Sequence, residues 1–526
     1  MFEKISKWSE SKNGLLYIIC ISLTLKAFLF MSDSVVNKDG LLYISVAQKL
    51  ITGHFKEGFS IYPMPFYPLL IGIVHFLIPD WVAAARILSI TFIVFTLIPL
   101  YLLSKELFDR KAAFWACLVF AIAPVPNGWA DGVMRDPGFI FCMAWAVFFA
   151  SRAIQSQRII FFAATALFSW VSILFRLEGI VLILFFPLCV VALCFKREND
   201  KVRLLKGVFL WILFPLVFSA VFIAALGWDG IISLNRSRDI LTQVQKFLSL
   251  GFLDNYFYIS EQLINLEKYS LYPGGMQNFA ETARHFIPII YLFGLLETFI
   301  LVLFPLFVIP LFFGFRESMQ KNRIFVLSVF FVFLFMTYYF LVNEDFTQKR
   351  FLSIPALLMY PWVGAGMQRF FEYLSGRFSK RVFAAVFVLF FILPVYQCFE
   401  QEWKEDRSLM VAAKWIEKEA NPEKFKIITT DARFLYYAGR EFWFINGSSG
   451  TDGDVFYRVS ENDSLNYMEQ IALQQKIDIM VFRISAKNIP SQFKYFKKIK
   501  EFKGRKNVSY VFSSPEAAAR ITGSNS

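Results

Sequence analysis

The chain has 526 residues, of which 57% are hydrophobic, 65 are Phe and only 18% carry charge; a composition so apolar excludes both an ordinary soluble domain and a disordered chain. Lys and Arg number 54 against 41 Asp and Glu, a formal charge of +13. These cations lie in short stretches between apolar runs, which argues against a nucleic-acid surface and for membrane loops.

A helix needs roughly 17 to 25 apolar residues to cross the hydrocarbon, and about eleven runs qualify. In chain order they are 15–31, 82–103, 112–129, 132–150, 159–175, 179–195, 207–227, 286–315, 324–342, 351–367 and 382–399. The segment 66–78, with Pro63, Pro65 and Pro68 at its start, is too short to span and reads as re-entrant or lying on the surface. Leaving it out places on one side Lys4, Lys7 and Lys12; Lys105, Arg110 and Lys111; Arg152 and Arg158; Lys196 to Lys206; Arg316, Lys321 and Arg323; and Arg369 to Arg381. Short basic loops are cytoplasmic, so the expected topology has the N-terminus inside and the C-terminus outside.

The outer face then holds 32–81, 228–285, 343–350 and the tail 400–526. The expected architecture is an all-α polytopic membrane protein. Its transmembrane domain, 1–399, includes a first outer loop at 32–81 and an outer loop at 228–285, which is long enough for a lid and carries a turn at Tyr272-Pro-Gly-Gly275. The domain 400–526 alone has soluble composition and reads as a small extracytoplasmic α/β domain, with helices at 408–419 and 464–475 and strands at 426–430, 477–484 and 508–512. Cys20, Cys117, Cys142, Cys189, Cys194 and Cys398 all fall in or beside spans, which suggests neither a disulfide framework nor a thiolate metal site.

Acidic groups at the edge of spans are costly and mark candidate sites. Asp39 heads an amphipathic stretch in which Leu42, Val46 and Leu50 share a helical face, a helix expected at the membrane surface. Asp136 opens the fourth span ahead of Pro137. Each has a plain structural reading as a helix cap.

The order of short motifs along nearly the whole chain resembles the GT-C class of polytopic glycosyltransferases that use lipid-phosphate sugars, the group of protein O-mannosyltransferases and lipid A aminoarabinose transferases. Asp39 with Tyr43, the stretch Tyr62-Pro-Met-Pro-Phe-Tyr67-Pro, Ala85 to Ser89 and Leu107 to Lys111 carry the first half of the resemblance. Arg135-Asp136-Pro137, Arg176-Leu-Glu178-Gly179, Lys349-Arg350-Phe351 with Pro355, and Trp415-Ile416, Asp431 and Tyr437-Ala-Gly-Arg440 carry the rest. The chain departs from the aminoarabinose transferases, whose Glu-Lys-Pro is here Pro63-Met64-Pro65, and from the protein mannosyltransferases, in which Glu follows the first-loop Asp where Gly40 stands.

The resemblance implies transfer of a sugar from a polyprenyl-phosphate donor to a lipid, glycan or protein acceptor at the extracytoplasmic face, as expected of a bacterial inner-membrane enzyme in contact with membrane lipids. In such chemistry a carboxylate takes the acceptor's hydroxyl proton, a role that falls to Asp39, while Asp136 orients it, the acceptor or a metal. Fixed cations stabilise the departing phosphate: Arg350 first, then Lys349, Arg135 and Arg176, each also readable as an interfacial cation. Tyr43, Tyr62, Tyr67 and Glu178 are candidate substrate contacts. No cofactor is certain; His54, His75 and His285 have no ligand spacing, although Asp and Glu are able to hold Mg²⁺ or Mn²⁺. The rival readings are a transporter, expected to show repeats or charges deep within spans, neither of which is found, and a non-catalytic scaffold that binds lipid-linked glycan.

Overall fold

The computed structural model describes residues 10–31, 35–62, 64–195, 201–226, 251–268, 273–316, 321–344, 348–403, 407–419, 425–440, 455–456, 465–485, 493–504 and 507–523, with positions 242, 245, 246 and 249. Helices underlie every predicted span: Gly14–Phe30, Trp81–Leu107, Arg110–Ile122 with Pro124–Asp131, Asp136–Ser156, Ile159–Phe175, Ile180–Cys194, Lys201–Leu226, Pro273–Leu303 with Pro305–Gly314, Lys321–Glu344, Ser353–Arg377 and Lys380–Trp403. Among the described residues six helices are long and apolar enough to cross a membrane, or seven if a bent pair counts as one span. The chain is an all-α polytopic membrane protein with a small β-containing extension. The segment at 66–78 forms the short helix Phe66–His75.

Two predicted spans are broken, each ahead of a proline. Pro124 lacks an N–H and forces Ala123 out of the helical region, to ψ 131°, so the halves of the 112–129 run meet at 55°. Backbone oxygens beside such a break need donors within the membrane. Asn127 Nδ2 donates to the carbonyls of Ala121 at 3.0 Å and Ala123 at 2.8 Å. Asn127 Oδ1 in turn accepts from Lys26 Nζ at 2.9 Å, which also donates to Ser22 Oγ at 2.9 Å. Lys26 is buried in the first apolar helix, which corrects the expectation that no charge lies deep within a span; its ammonium completes the network at the break. The run 286–315 divides at Phe304, whose φ is 83°.

Ser353–Arg377 is the central helix, buried without interruption from Ser353 to Met367. A Cβ on Gly364 would meet the Ala112 carbonyl oxygen at 2.2 Å and one on Gly366 the Pro310 oxygen at 1.8 Å. Two neighbouring helices therefore approach it backbone to backbone, the small-residue packing that membrane bundles use. In the predicted outer loop 228–285, the turn expected at Tyr272-Pro-Gly-Gly275 is replaced by the start of the 31-residue helix Pro273–Leu303, while Tyr272 and most of the 228–250 stretch lie outside the described residues.

The C-terminal part holds a five-stranded sheet in the order β2-β1-β3-β5-β4, formed by Val455–Phe456, Ile427–Thr429, Ile479–Ser485, Asn507–Ser513 and Lys497–Lys503 in that spatial order. β1 runs parallel to β2 and β3, while β5 is antiparallel to β3 and β4. Period-two alternation sends Ile479 and Val481 to one face with Leu409, Ile416 and Ala517, and Met480 and Phe482 to the other with Met468 and Phe493. The helices Ser408–Glu419 and Leu465–Gln474 agree with the sequence reading, as do β1, β3 and β5 within three residues at each end. β4, KKIKEFK, was not predicted; its charges suit an exposed edge strand and hide it in a hydropathy pattern.

Asn127→Ala removes the side-chain donor at the break. It should destabilise the fold by about 1 to 3 kcal/mol, more than the volume-matched Lys26→Met, as thermal unfolding of the two variants in detergent will show.

Candidate active site

The helix Lys38–Ile51 follows Asn37, whose extended backbone begins it without a side-chain cap. Asn37 Nδ2 donates instead to the Val133 carbonyl at 3.2 Å. Gly40 admits Val133 closely, since an added Cβ would meet the Val133 Cβ at 2.8 Å. The helix buries Leu41, Tyr43, Ile44, Val46, Ala47 and Leu50. This is a broader arc than the predicted Leu42, Val46 and Leu50 face, and Leu42 itself is only partly covered, so the helix is packed into the protein rather than laid on it. Asp39 sits in its first turn. Its Oδ2 accepts from Arg350 Nη1 at 3.1 Å, with 49% of the Asp39 side chain and 25% of Arg350 exposed.

Asp136 lies in the first turn of Asp136–Ser156 but makes no capping bond. Its buried carboxylate accepts from Arg176 Nη1, which corrects the cap reading. The same guanidinium donates to Glu178 Oε1 from Nη2 and, at 3.1 Å, from Nε. A guanidinium this deep needs compensation, and two carboxylates provide it. Its faces are covered by Phe139 and Phe351, whose ring centroids lie 5.8 and 5.2 Å from its Cζ.

Arg350 stands 5.7 Å from the Phe351 ring, so the two arginines share one aromatic neighbour. Arg176, Glu178, Arg350, Phe351, Phe139 and Thr337 line a single hollow. The Nε of Arg350 is buried with no hydrogen-bond partner. Beside this hollow Arg135 Nη1 donates to Tyr62 Oη and approaches Met64 Sδ at 3.1 Å. Tyr43 meets Tyr62 and Tyr67 edge-on at 5.4 and 5.3 Å. Burial raises the Tyr43 hydroxyl above the usual tyrosine range against the opposing pull of Arg135, and the charges of Tyr62, Asp39 and Asp136 add to the rise. Both aspartates are thus within electrostatic reach of one phenol, which stays neutral at physiological pH.

Of the predicted residues, the structure joins Asp39 to Arg350, Asp136 and Glu178 to Arg176, and Arg135 to Tyr62. Tyr67 is 1% exposed and shares a 3.0 Å hydrogen bond with Ser89, a position that supports Tyr43 from behind. Lys349 is exposed. Asp39, Asp136 and Glu178 each have an arginine partner, and among the described residues no three of His, Cys, Asp and Glu come together as a metal-binding set.

Residues 62–228 match the family model described as dolichyl-phosphate-mannose-protein mannosyltransferase. The match takes in Tyr62, Arg135, Asp136, Arg176 and Glu178 but begins beyond Asp39 and Tyr43. Over the matched residues, less than half of the chain, the sequence is similar to that family. The oligosaccharyltransferase of Archaeoglobus fulgidus, solved in complex with Zn and sulfate, has a similar fold, with a TM-score of 0.53 at 13% identity over 89% of this chain and 67% of that one. The AglB oligosaccharyltransferase of the same organism, in complex with an inhibitory peptide and a dolichol-phosphate, gives 0.51 at 13% identity over 89% and 69%. ArnT from Cupriavidus metallidurans bound to undecaprenyl phosphate gives 0.41 at 12% identity over 95% and 98%. For the two oligosaccharyltransferase structures, at 13% identity, the likeness is one of fold. No curated protein matches the chain.

Sequence reading passed over Phe139 and Thr337, which look like ordinary span residues, and gave Phe351 no role although it stands inside the Lys349-Arg350-Phe351 motif. Two arginines flanking one ring was a signal only the fold reveals.

The two carboxylates should differ sharply in what they contribute to stability. Asp136→Asn leaves a buried cation short of charge and should cost about 3 to 5 kcal/mol, whereas Asp39→Asn breaks a half-exposed pair and should cost under about 1 kcal/mol; thermal midpoints of the purified variants test the contrast.

Proposed function

We propose that the chain is a membrane glycosyltransferase that moves a sugar from a polyprenyl-phosphate donor to a lipid, glycan or protein acceptor at the extracytoplasmic face, with inversion at the anomeric carbon. The observation that carries this reading is the Asp39–Arg350 pair at 3.1 Å, a water-accessible carboxylate next to an arginine whose other side lines the Arg176 hollow. A base and an anion site lie side by side, as transfer from a phosphate leaving group requires. The reading takes all eleven helical runs as spans, with the N-terminus cytoplasmic and the C-terminal part outside.

In this mechanism the donor phosphate takes the Arg350 guanidinium, including its unpartnered Nε, and Arg176 adds its charge from below. Arg350 is thereby drawn from Asp39, whose carboxylate is released to accept the acceptor's hydroxyl proton. The acceptor oxygen attacks the anomeric carbon from the face opposite the phosphate. The bond from that carbon to the phosphate oxygen breaks, and its electron pair leaves with the prenyl phosphate. Negative charge thus grows on the phosphate as the bond opens, where the arginines oppose it. Asp136 and Glu178 act through Arg176, holding its fork fixed so that little reorganisation is needed as the charge develops. Arg135 and Tyr62 brace the Tyr43 side of the site, and Lys349 adds positive potential at its edge. The charge on the phosphate is met by the arginines, and were Mg²⁺ or Mn²⁺ bound, the Asp39 carboxylate released by Arg350 would be the group to hold it.

A transporter or scaffold draws no support from Lys26, whose neutral partners tie it to the break at Pro124. Asp39→Asn separates these readings. Turnover of a prenyl-phosphate sugar should fall by about 10²- to 10⁴-fold, the range for loss of a general base, while binding of prenyl phosphate persists. Turnover at the wild-type rate would remove Asp39 from the role.

A further inference from the structure

The soluble part meets the first outer loop through a helix of only six residues, Ala432–Tyr437, fixed at both ends. At its start Asp431 Oδ1 accepts from the Arg433 N–H at 3.2 Å. At its end Gly439 takes φ +65°, its N–H donates to the Tyr436 carbonyl at 3.2 Å, and the Arg440 N–H donates to the Leu435 carbonyl at 2.9 Å. This is the Schellman pattern, which stops a helix at a defined residue and favours glycine at the left-handed position. Tyr437 is thereby the last helical residue, and its Oη accepts from the backbone N–H of Val36 at 2.8 Å.

Val36 is 3% exposed and stands three residues before Asp39. A buried N–H without an acceptor is rarely tolerated, so the phenol fixes where the chain turns into the helix Lys38–Ile51. A longer-range charge interaction reaches the same place. Asp431 is held below the usual aspartate range; burial alone would raise it, but Arg433 outweighs that and the charge of Lys38 assists. Lys38, the neighbour of Asp39, is therefore in the field of the soluble part. Asn37 on Val133 and Arg350 on Asp39 hold the same turn from the membrane side.

We infer that Tyr437 is a positioning residue for the transfer reaction, through which the C-terminal part seats the helix that presents Asp39. The inference rests on the reading of Asp39 as the base. A group misplaced by about 1 Å costs on the order of 10²-fold in rate, so a tether three residues away bears on turnover without touching substrate.

Tyr437→Phe keeps the ring and deletes the acceptor. In the full-length protein, hydrogen exchange of the backbone amides at 36–41 should accelerate at least about 10-fold with the sheet of the C-terminal part unchanged, since exchange reports local opening. Turnover should fall by about 10-fold while the Kd for prenyl phosphate stays within about 2-fold, the split expected when only the transition-state geometry suffers. Unaltered exchange at 36–41 overturns the inference, and so does a wild-type kcat. Asp39→Asn, measured alongside, keeps the two claims apart: if it retains turnover, the base assignment falls, while the exchange measurement on Tyr437→Phe still decides the seat.

Discussion

The candidate site of this protein is organised around a buried cation. Arg176 is 3% exposed, and a guanidinium at that depth is tolerated only with opposite charge in direct contact. Asp136 and Glu178 supply it from two different helix starts. The requirement fixes the level at which the helix Asp136–Ser156 begins and the shape of the turn that leads into Ile180–Cys194. It also sets a rigid positive group at the base of the hollow, on which Phe351 packs. Phe351 in turn brings its neighbour Arg350 to the edge, where it meets Asp39. The partly exposed pair is therefore linked to the buried one through an aromatic ring.

That arrangement divides structural from chemical duty among groups that look alike in sequence. Asp136 is 1% exposed and bound to Arg176, out of reach of an acceptor hydroxyl in water, so it is suited to support. Asp39 is open to water and paired with an arginine that has a further donor to offer, so its partner is exchangeable. The same logic applies within the bundle. The break at Pro124 exposes backbone carbonyls, Asn127 satisfies them, and Lys26 satisfies Asn127. Asn127 and Lys26 are each accounted for by the polar group they satisfy.

How much of this was legible beforehand follows the range of the forces involved. The helices were legible because bilayer thickness dictates the length of an apolar run, and β1, β3 and β5 because alternation marks a buried strand. The breaks at Pro124 and Phe304 were not, since a hydropathy run continues smoothly across both, and Lys26 disappears when one charge is averaged over a window. The site residues could be named from short motifs, but their pairing could not. Asp39 and Arg350 are 311 positions apart and Val36 and Tyr437 are 401 apart, and only the packing of the helices brings them together. Whether Asp136 caps its helix or serves Arg176 is likewise invisible in one dimension, because the same residue type does both.

The central claim is that the Arg176 and Arg350 hollow receives the phosphate of a prenyl lipid. Mass spectrometry of lipid that co-purifies with the protein tests it most directly, comparing the wild type with an Arg350→Ala variant of matched thermal stability. The wild type should carry a prenyl phosphate, with or without its sugar, and the variant should lose it. Retention of that lipid at equal occupancy after the arginine is removed would contradict it.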